Sequence, residues 1–198
     1  MEPLVILVAD SNMRAAMQGL FRRPQALGIR PIQPEILVHP HRDPGVRTGA
    51  HTFLRSFTSR YLYALVMFDR EGCGQEQKSA SQIEQDVQAR LDTVGWKGRS
   101  KVIVIDPELE VWVWSRSPQV LRVLGISSQE MQRIYQRYGT NPYGKPLRPK
   151  EALEEVLRRQ RRPRSSAIYR ELATRVSLRR CTDPAFRELL TVLRQWFS

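Results

Sequence analysis

Acidic residues follow each strongly apolar stretch of this chain. Asp10 follows Leu4 to Ala9 (LVILVA), Asp69 and Glu71 follow Leu62 to Phe68 (LYALVMF), and Asp106, Glu108 and Glu110 follow Val102 to Ile105 (VIVI). Carboxylates gathered on one rim are the donors a hard divalent cation takes; Mg²⁺ or Mn²⁺ is usually held by one or two of them, water and substrate phosphate. Such a cation activates water and offsets charge on a phosphodiester. The Asp69-x-Glu71 pair is the strongest local element, because acids at i and i+2 can turn to the same rim. The same residues have a second reading. Acids after buried strands also cap helices and form turns, and Asp10 and Asp106 suit capping. On spacing alone both readings stand.

A second constellation is basic. The segment Arg158-Arg159-Gln160-Arg161-Arg162-Pro163-Arg164 carries more charge of one sign than a mixed surface needs, and Lys150 precedes it by eight residues. The guanidinium fork suits bidentate phosphate contact. The whole chain of 198 residues holds 32 Lys plus Arg against 20 Asp plus Glu, a formal charge of +12, so a polyanion such as DNA or RNA is the first partner to consider. The excess is uneven. Thr140 to Ser198 contains 14 basic and 6 acidic residues, and therefore +8 of the total. Trp112, Trp114, Tyr135, Tyr138 and Tyr143 could stack on bases, although aromatics beside apolar helices more often belong to a core.

Other chemistries lack their residues. There is no P-loop, GxGxxG or GxSxG, and His39, His41 and His51 form no HExxH. Cys73 and Cys181 stand alone, without metal or disulfide spacing, and read as free thiols. No apolar run approaches the roughly 20 residues of a membrane span, and the N-terminus lacks a signal peptide's basic start. The expectation is a cytoplasmic protein with no membrane partner.

The elements that must position these residues alternate. Leu4 to Ala9, Glu35 to His39, Leu62 to Phe68 and Val102 to Ile105 read as strands, and the continuous apolar runs suit strands covered on both faces. Helical spacing follows from Met13 to Phe21, from Ser81 to Val94 (Ile83, Val87, Leu91) and across Thr48 to Ser59. Asp106 with Pro107 predicts a cap and first helical residue for a helix with its body at Val111 to Ser115. Further helices are predicted at Val120 to Leu124, Ser127 to Tyr138, Pro149 to Arg159, Ser165 to Val176 and Asp183 to Trp196, with a loop over Gly139 to Pro149. The fold class is α/β, a three-layer sandwich around a mostly parallel four-stranded sheet. Residues 1–139 form that domain, and 140–198 form a basic helical extension packed on it.

These residues carry a resemblance. VADSNM at 8–13, FDREG at 68–72, VIVIDPELEVWVW at 102–114, RPKEAL at 148–153, PRSSAIYRELATRVS at 163–177 and CTDPAF at 181–186 make the chain similar to the Toprim-like families of bacterial defence loci. Toprim domains place a Glu after the first strand and DxD after a later one, and these acids hold Mg²⁺ for cleaving or joining nucleic-acid strands. Here Asp10 takes the place of the Glu, Asp69-x-Glu71 that of DxD, and Glu110 matches the acid of a related PxxExW segment. Both substitutions keep a carboxylate and change its reach by one methylene.

The resemblance implies a component of an anti-phage, methylation-associated defence system that binds DNA or RNA and other proteins of that system. On this expectation Asp10, Asp69 and Glu71 are catalytic. With Glu110 they hold Mg²⁺ or Mn²⁺, while Lys150, Arg158, Arg159, Arg161, Arg162 and Arg164 grip the phosphate backbone. The alternative is a degenerate, non-catalytic module that docks on a partner protein or DNA.

Overall fold

A computed structural model describes all 198 residues. Four strands, β1 (Glu2–Val8), β2 (Glu35–Val38), β3 (Tyr61–Asp69) and β4 (Ser100–Ile105), form one sheet in the order β2-β1-β3-β4, and every pairing is parallel. The register sets Val8 beside Met67 and Asp69 beside Ile105, so the carboxyl ends of β1, β3 and β4 meet at one rim.

Alternation divides the strand side chains between two cores. Leu4, Ile6, Val8, Leu65, Met67, Ile103 and Ile105 belong to a 39-residue cluster on one face. Val5, Leu7, Ala9, Ala64, Val66, Phe68, Val102 and Val104 belong to a 17-residue cluster on the other. The smaller face is covered by α3 (Arg42–Leu54) and α4 (Ala80–Leu91), through Val46, Ala50, Leu54, Ile83, Val87 and Leu91. The larger lies under α1 (Ser11–Phe21), the short α2 (Pro24–Leu27), α5 (Pro118–Leu124), α6 (Ser128–Tyr138), α7 (Pro149–Arg159), α8 (Ser166–Arg175) and α9 (Pro184–Phe197). This is the three-layer α/β sandwich around a parallel sheet that the strand pattern predicts. No helix is long and apolar enough to cross a membrane.

Helix starts follow local chemistry. Ser79 with Gln82, and Ser127 with Glu130, form capping boxes for α4 and α6. Pro118, Pro149 and Pro184 stand in the first turns of α5, α7 and α9, where a missing N–H costs nothing.

Two expectations are corrected. The predicted helix over Thr48 to Ser59 is α3, which begins earlier, at Arg42: Pro44 lies in its first turn, where proline starts a helix rather than breaking it. The predicted helix body at Val111 to Ser115 is only a 3₁₀ turn at Leu109–Trp112. Asp106 does not cap it, because its carboxylate accepts from Arg70 Nε at 2.7 Å. Side-chain burial opposes a continuous helix there. Val111, Val113 and Trp114 all enter the core, and the indole N–H groups of Trp112 and Trp114 donate to Asp183 Oδ1 at 2.8 Å and the Pro149 carbonyl at 2.9 Å.

The 140–198 segment has no core of its own. Ala152, Leu153, Ile168, Leu172, Phe186 and Leu189 share the 39-residue cluster with the sheet, and Trp196 stacks on Tyr63 of β3 with ring centroids 4.6 Å apart. The tightest seam joins α1 to α8 at Gly19, where a Cβ would stand 2.6 Å from the Arg170 carbonyl oxygen and 2.7 Å from Ala173 Cβ. Gly19→Ala should therefore lower the unfolding free energy by about 1–3 kcal/mol through overpacking, despite alanine's better helix propensity. Urea denaturation checks this; an unchanged or raised midpoint contradicts the close packing.

Candidate functional site

In the order β2-β1-β3-β4 the chain leaves β1 toward one edge and later leaves β3 toward the other, so β1 and β3 flank the topological switch point, where open α/β sheets bind ligands. The acids gather there. Asp10 follows β1, Asp69 ends β3, Asp43 lies in the first turn of α3, and Glu108 and Glu110 come from the segment after β4.

Asp69 is the centre. Its Oδ1 is buried and accepts no hydrogen bond. Burial, and then the charges of Asp43, Glu110, Asp10 and Glu108, raise its pKa well above the usual carboxylate range. Its own backbone N–H donates to Asp43 Oδ1 at 2.8 Å. Asp43 is also shifted upward, chiefly by burial, although the backbone donors of Asp69 and Asp43 pull the other way.

Glu108 and Glu110 are both buried and meet cations from α7 and from the loop between α7 and α8. Glu108 Oε2 is 3.6 Å from Lys150 Nζ, yet burial and the neighbouring Glu110 push its pKa up to about 7. Glu110 Oε1 accepts from Arg164 Nη1 at 2.9 Å and from the Tyr169 hydroxyl. Burial and the Glu110 charge hold that phenol strongly in its neutral, donating form.

The sequence-predicted ligand set is not assembled. Asp10 caps α1, accepting from the Met13 N–H at 2.8 Å. Glu71 is exposed, because β3 ends at Asp69 and the next residues turn outward, with the Glu71 N–H bonded to the Pro107 carbonyl at 2.9 Å. Glu110 is already engaged by Arg164 and Tyr169. No three His, Cys, Asp or Glu side chains converge closely enough to hold a metal ion. The donors as arranged therefore do not fit the divalent cation that the resemblance implies, although Asp69 Oδ1 is a buried acceptor without a donor.

The basic residues divide. Lys150 and Arg164 turn inward to the acids, Arg162 Nη1 donates to the Val123 carbonyl at 2.6 Å, and Arg159 pairs with the buried Glu155, which Arg137 also meets at 3.2 Å. Arg158 and Arg161 are exposed and make no ion pair. Of the six residues expected to grip phosphate, four thus already meet buried acids or a helix-end carbonyl, and two are left without an acid partner. Among the aromatics, Trp114 is buried and Trp112, Tyr135 and Tyr138 pack against the core, whereas Tyr143 is 50% exposed.

Asp43 and Tyr169 escape a reading of the sequence. Asp43 obeys the rule of acid after strand, but its strand is the short EILV of β2, obscured by surrounding prolines. Tyr169 is an ordinary apolar-face residue of α8 by spacing, and only the tertiary fold brings its hydroxyl to Glu110.

No protein-family model, curated protein or solved structure matches this chain.

Raised carboxyl pKa values mean that the folded state binds more protons than the unfolded one. Their favourable contribution is complete below the ordinary carboxylate pKa and is lost as pH rises through about 7, the folded value for Glu108. Thermal stability should decline between pH 5 and pH 8. Glu108→Gln should flatten that decline and raise the midpoint at pH 8 by several degrees, at roughly 2–4 °C per kcal/mol for a chain of this size. Scanning calorimetry across pH tests it; a variant whose midpoint falls in parallel with wild type contradicts the assignment.

Proposed function

We propose that this chain is a nucleic-acid-binding, non-catalytic component of an anti-phage, methylation-associated bacterial defence system, built on a Toprim-like scaffold and working in the cytoplasm with other proteins of that system. The observation that carries this reading is the basic segment laid across the acidic rim. Arg164 closes onto Glu110 while Arg158 and Arg161, earlier in the same run, stay exposed and free of acid partners. Internal cations thus occupy the place where a catalytic rim would present open carboxylates, and the remaining arginines offer charge to a phosphate backbone. The net charge of +12 favours the same class of partner.

A second reading, metal-dependent phosphodiester hydrolysis, has one observation in its favour. Asp69 Oδ1 is a buried acceptor without a donor, next to Asp43, and a cation would satisfy it. Calorimetric titration with Mg²⁺ and Mn²⁺ separates the readings. The expected result is no saturable heat; saturable binding that disappears in Asp69→Asn, together with cleavage of a labelled oligonucleotide, would establish the enzyme instead.

Nucleic-acid binding itself is tested by affinity as a function of salt. Log affinity should fall linearly with log salt, and Arg158→Gln with Arg161→Gln should reduce the slope by roughly 2 if each residue neutralises one phosphate. An unchanged slope removes these two residues from the interface, and a flat wild-type response removes nucleic acid as the partner.

A further inference from the structure

A separate group of residues lies at the turn between α6 and α7. Tyr143 is 50% exposed, an unusual position for a large aromatic ring, and the turn that carries it is closely hydrogen-bonded. Thr140 and Pro146 form a β-bridge, the Asn141 N–H donates to the Lys145 carbonyl at 2.8 Å, and Asn141 Oδ1 accepts the N–H groups of Tyr143 and Lys145 at 3.0 Å each. Thr182 Oγ1 donates to the Tyr143 carbonyl at 2.7 Å. From below, the buried Lys145 anchors the turn by donating from Nζ to the Trp114 carbonyl at 2.8 Å. The exposed ring therefore sits on a fixed platform.

Arginines flank one side of it. Arg180, on the 3₁₀ turn Leu178–Arg180, donates from Nη1 to the Arg116 carbonyl at 3.2 Å. Arg116 Nη2 lies beside Gly144, 3.6 Å from where a Cβ would stand. Arg179 is adjacent in the chain, all three arginines are exposed, and every ion pair in the molecule involves other residues. Tyr143 also borders a cleft of about 540 Å³ whose charged residues, Glu84, Asp106, Asp183, Glu188 and Arg70, include the Arg70–Asp106 ion pair, while Glu188 is paired with Lys101. The cleft thus offers no unpaired cation, and a polyanion would be drawn to the three arginines instead.

We infer that Tyr143 with Arg116, Arg179 and Arg180 is a subsite for single-stranded nucleic acid, one base stacking on the ring while the guanidinium groups follow the backbone. The chemistry is that of single-strand recognition, in which an aromatic face accepts any base and unpaired cations track phosphates. A duplex keeps its bases stacked on one another and cannot offer one to the ring. The inference rests on the nucleic-acid reading above and adds to it a strand preference and a location.

The test uses the full chain and a fluorescent dT₁₂ oligonucleotide, with a blunt hairpin duplex in parallel. Tyr143→Ala should weaken dT₁₂ binding about tenfold and leave the hairpin unchanged. Tyr143→Phe should retain binding, and Arg116→Gln with Arg180→Gln should weaken dT₁₂ further. Crosslinking with 5-iodouridine should label the peptide that contains Tyr143. If wild type binds dT₁₂ and Tyr143→Ala binds it equally well, the subsite is wrong while nucleic-acid binding stands. If wild type binds neither probe, both proposals fall.

Discussion

Carboxylates that cannot reach bulk water must be neutralised from within the protein, and this constraint organises the molecule. The parallel sheet, covered on both faces, delivers Asp10, Asp69, Glu108 and Glu110 to one rim, and α3 adds Asp43. Like charges at short range in a poorly hydrated setting oppose one another strongly. Three remedies appear together. Asp69 and Glu108 shift toward their protonated forms, Asp10 and Asp43 take backbone N–H donors, and Glu110 and Glu108 receive Arg164 and Lys150. The last of these gives the C-terminal helices and the loop between α7 and α8 an electrostatic role. They complete the third layer and also supply its counter-charges.

This arrangement resolves the uneven charge of the sequence. Part of the basic excess in the C-terminal segment answers acids placed much earlier, as Arg164 answers Glu110 across 54 residues. The remainder is surface. A buried ion pair made this way is a weak source of stability, because desolvating both partners offsets much of their attraction. Its stronger effect is positional: removing Arg164 strands the buried Glu110 charge, so the Glu110–Arg164–Tyr169 contact fixes how α8 sits against the rim.

The fold was largely legible from the chain. Uninterrupted apolar runs such as LVILVA and LYALVMF, short and bounded by polar turns, suit strands with both faces covered, and the helices between them show the 3.6-residue period. The start of α9 at Asp183 and Pro184 was equally plain, since a cap acts within three residues. The site was legible in part. That acids collect at the strand ends follows from local order, but what each acid does depends on distant partners. Asp69 and Glu71 look equivalent in DRE, yet the strand stops between them, and Asp69 is half-buried with its Oδ1 sealed from solvent while Glu71 is exposed. The DPELEVW stretch misleads for a related reason. Its cap and proline are favourable locally, and the demands of Trp112, Trp114 and Arg70 prevail over them.

The seam between α1 and α8 has a further consequence, for the order in which the protein can form. Residues 11–21 close on residues 166–175, so the layer covering one face of the sheet brings together segments some 150 positions apart. Parallel strands already require long crossovers, and this seam raises the mean separation of contacting residues further, the condition under which folding is slow. During synthesis the first strand and its helix would emerge long before their cover. The apolar face of β1 and the bare groove at Gly19 then need protection from association until most of the chain has left the ribosome.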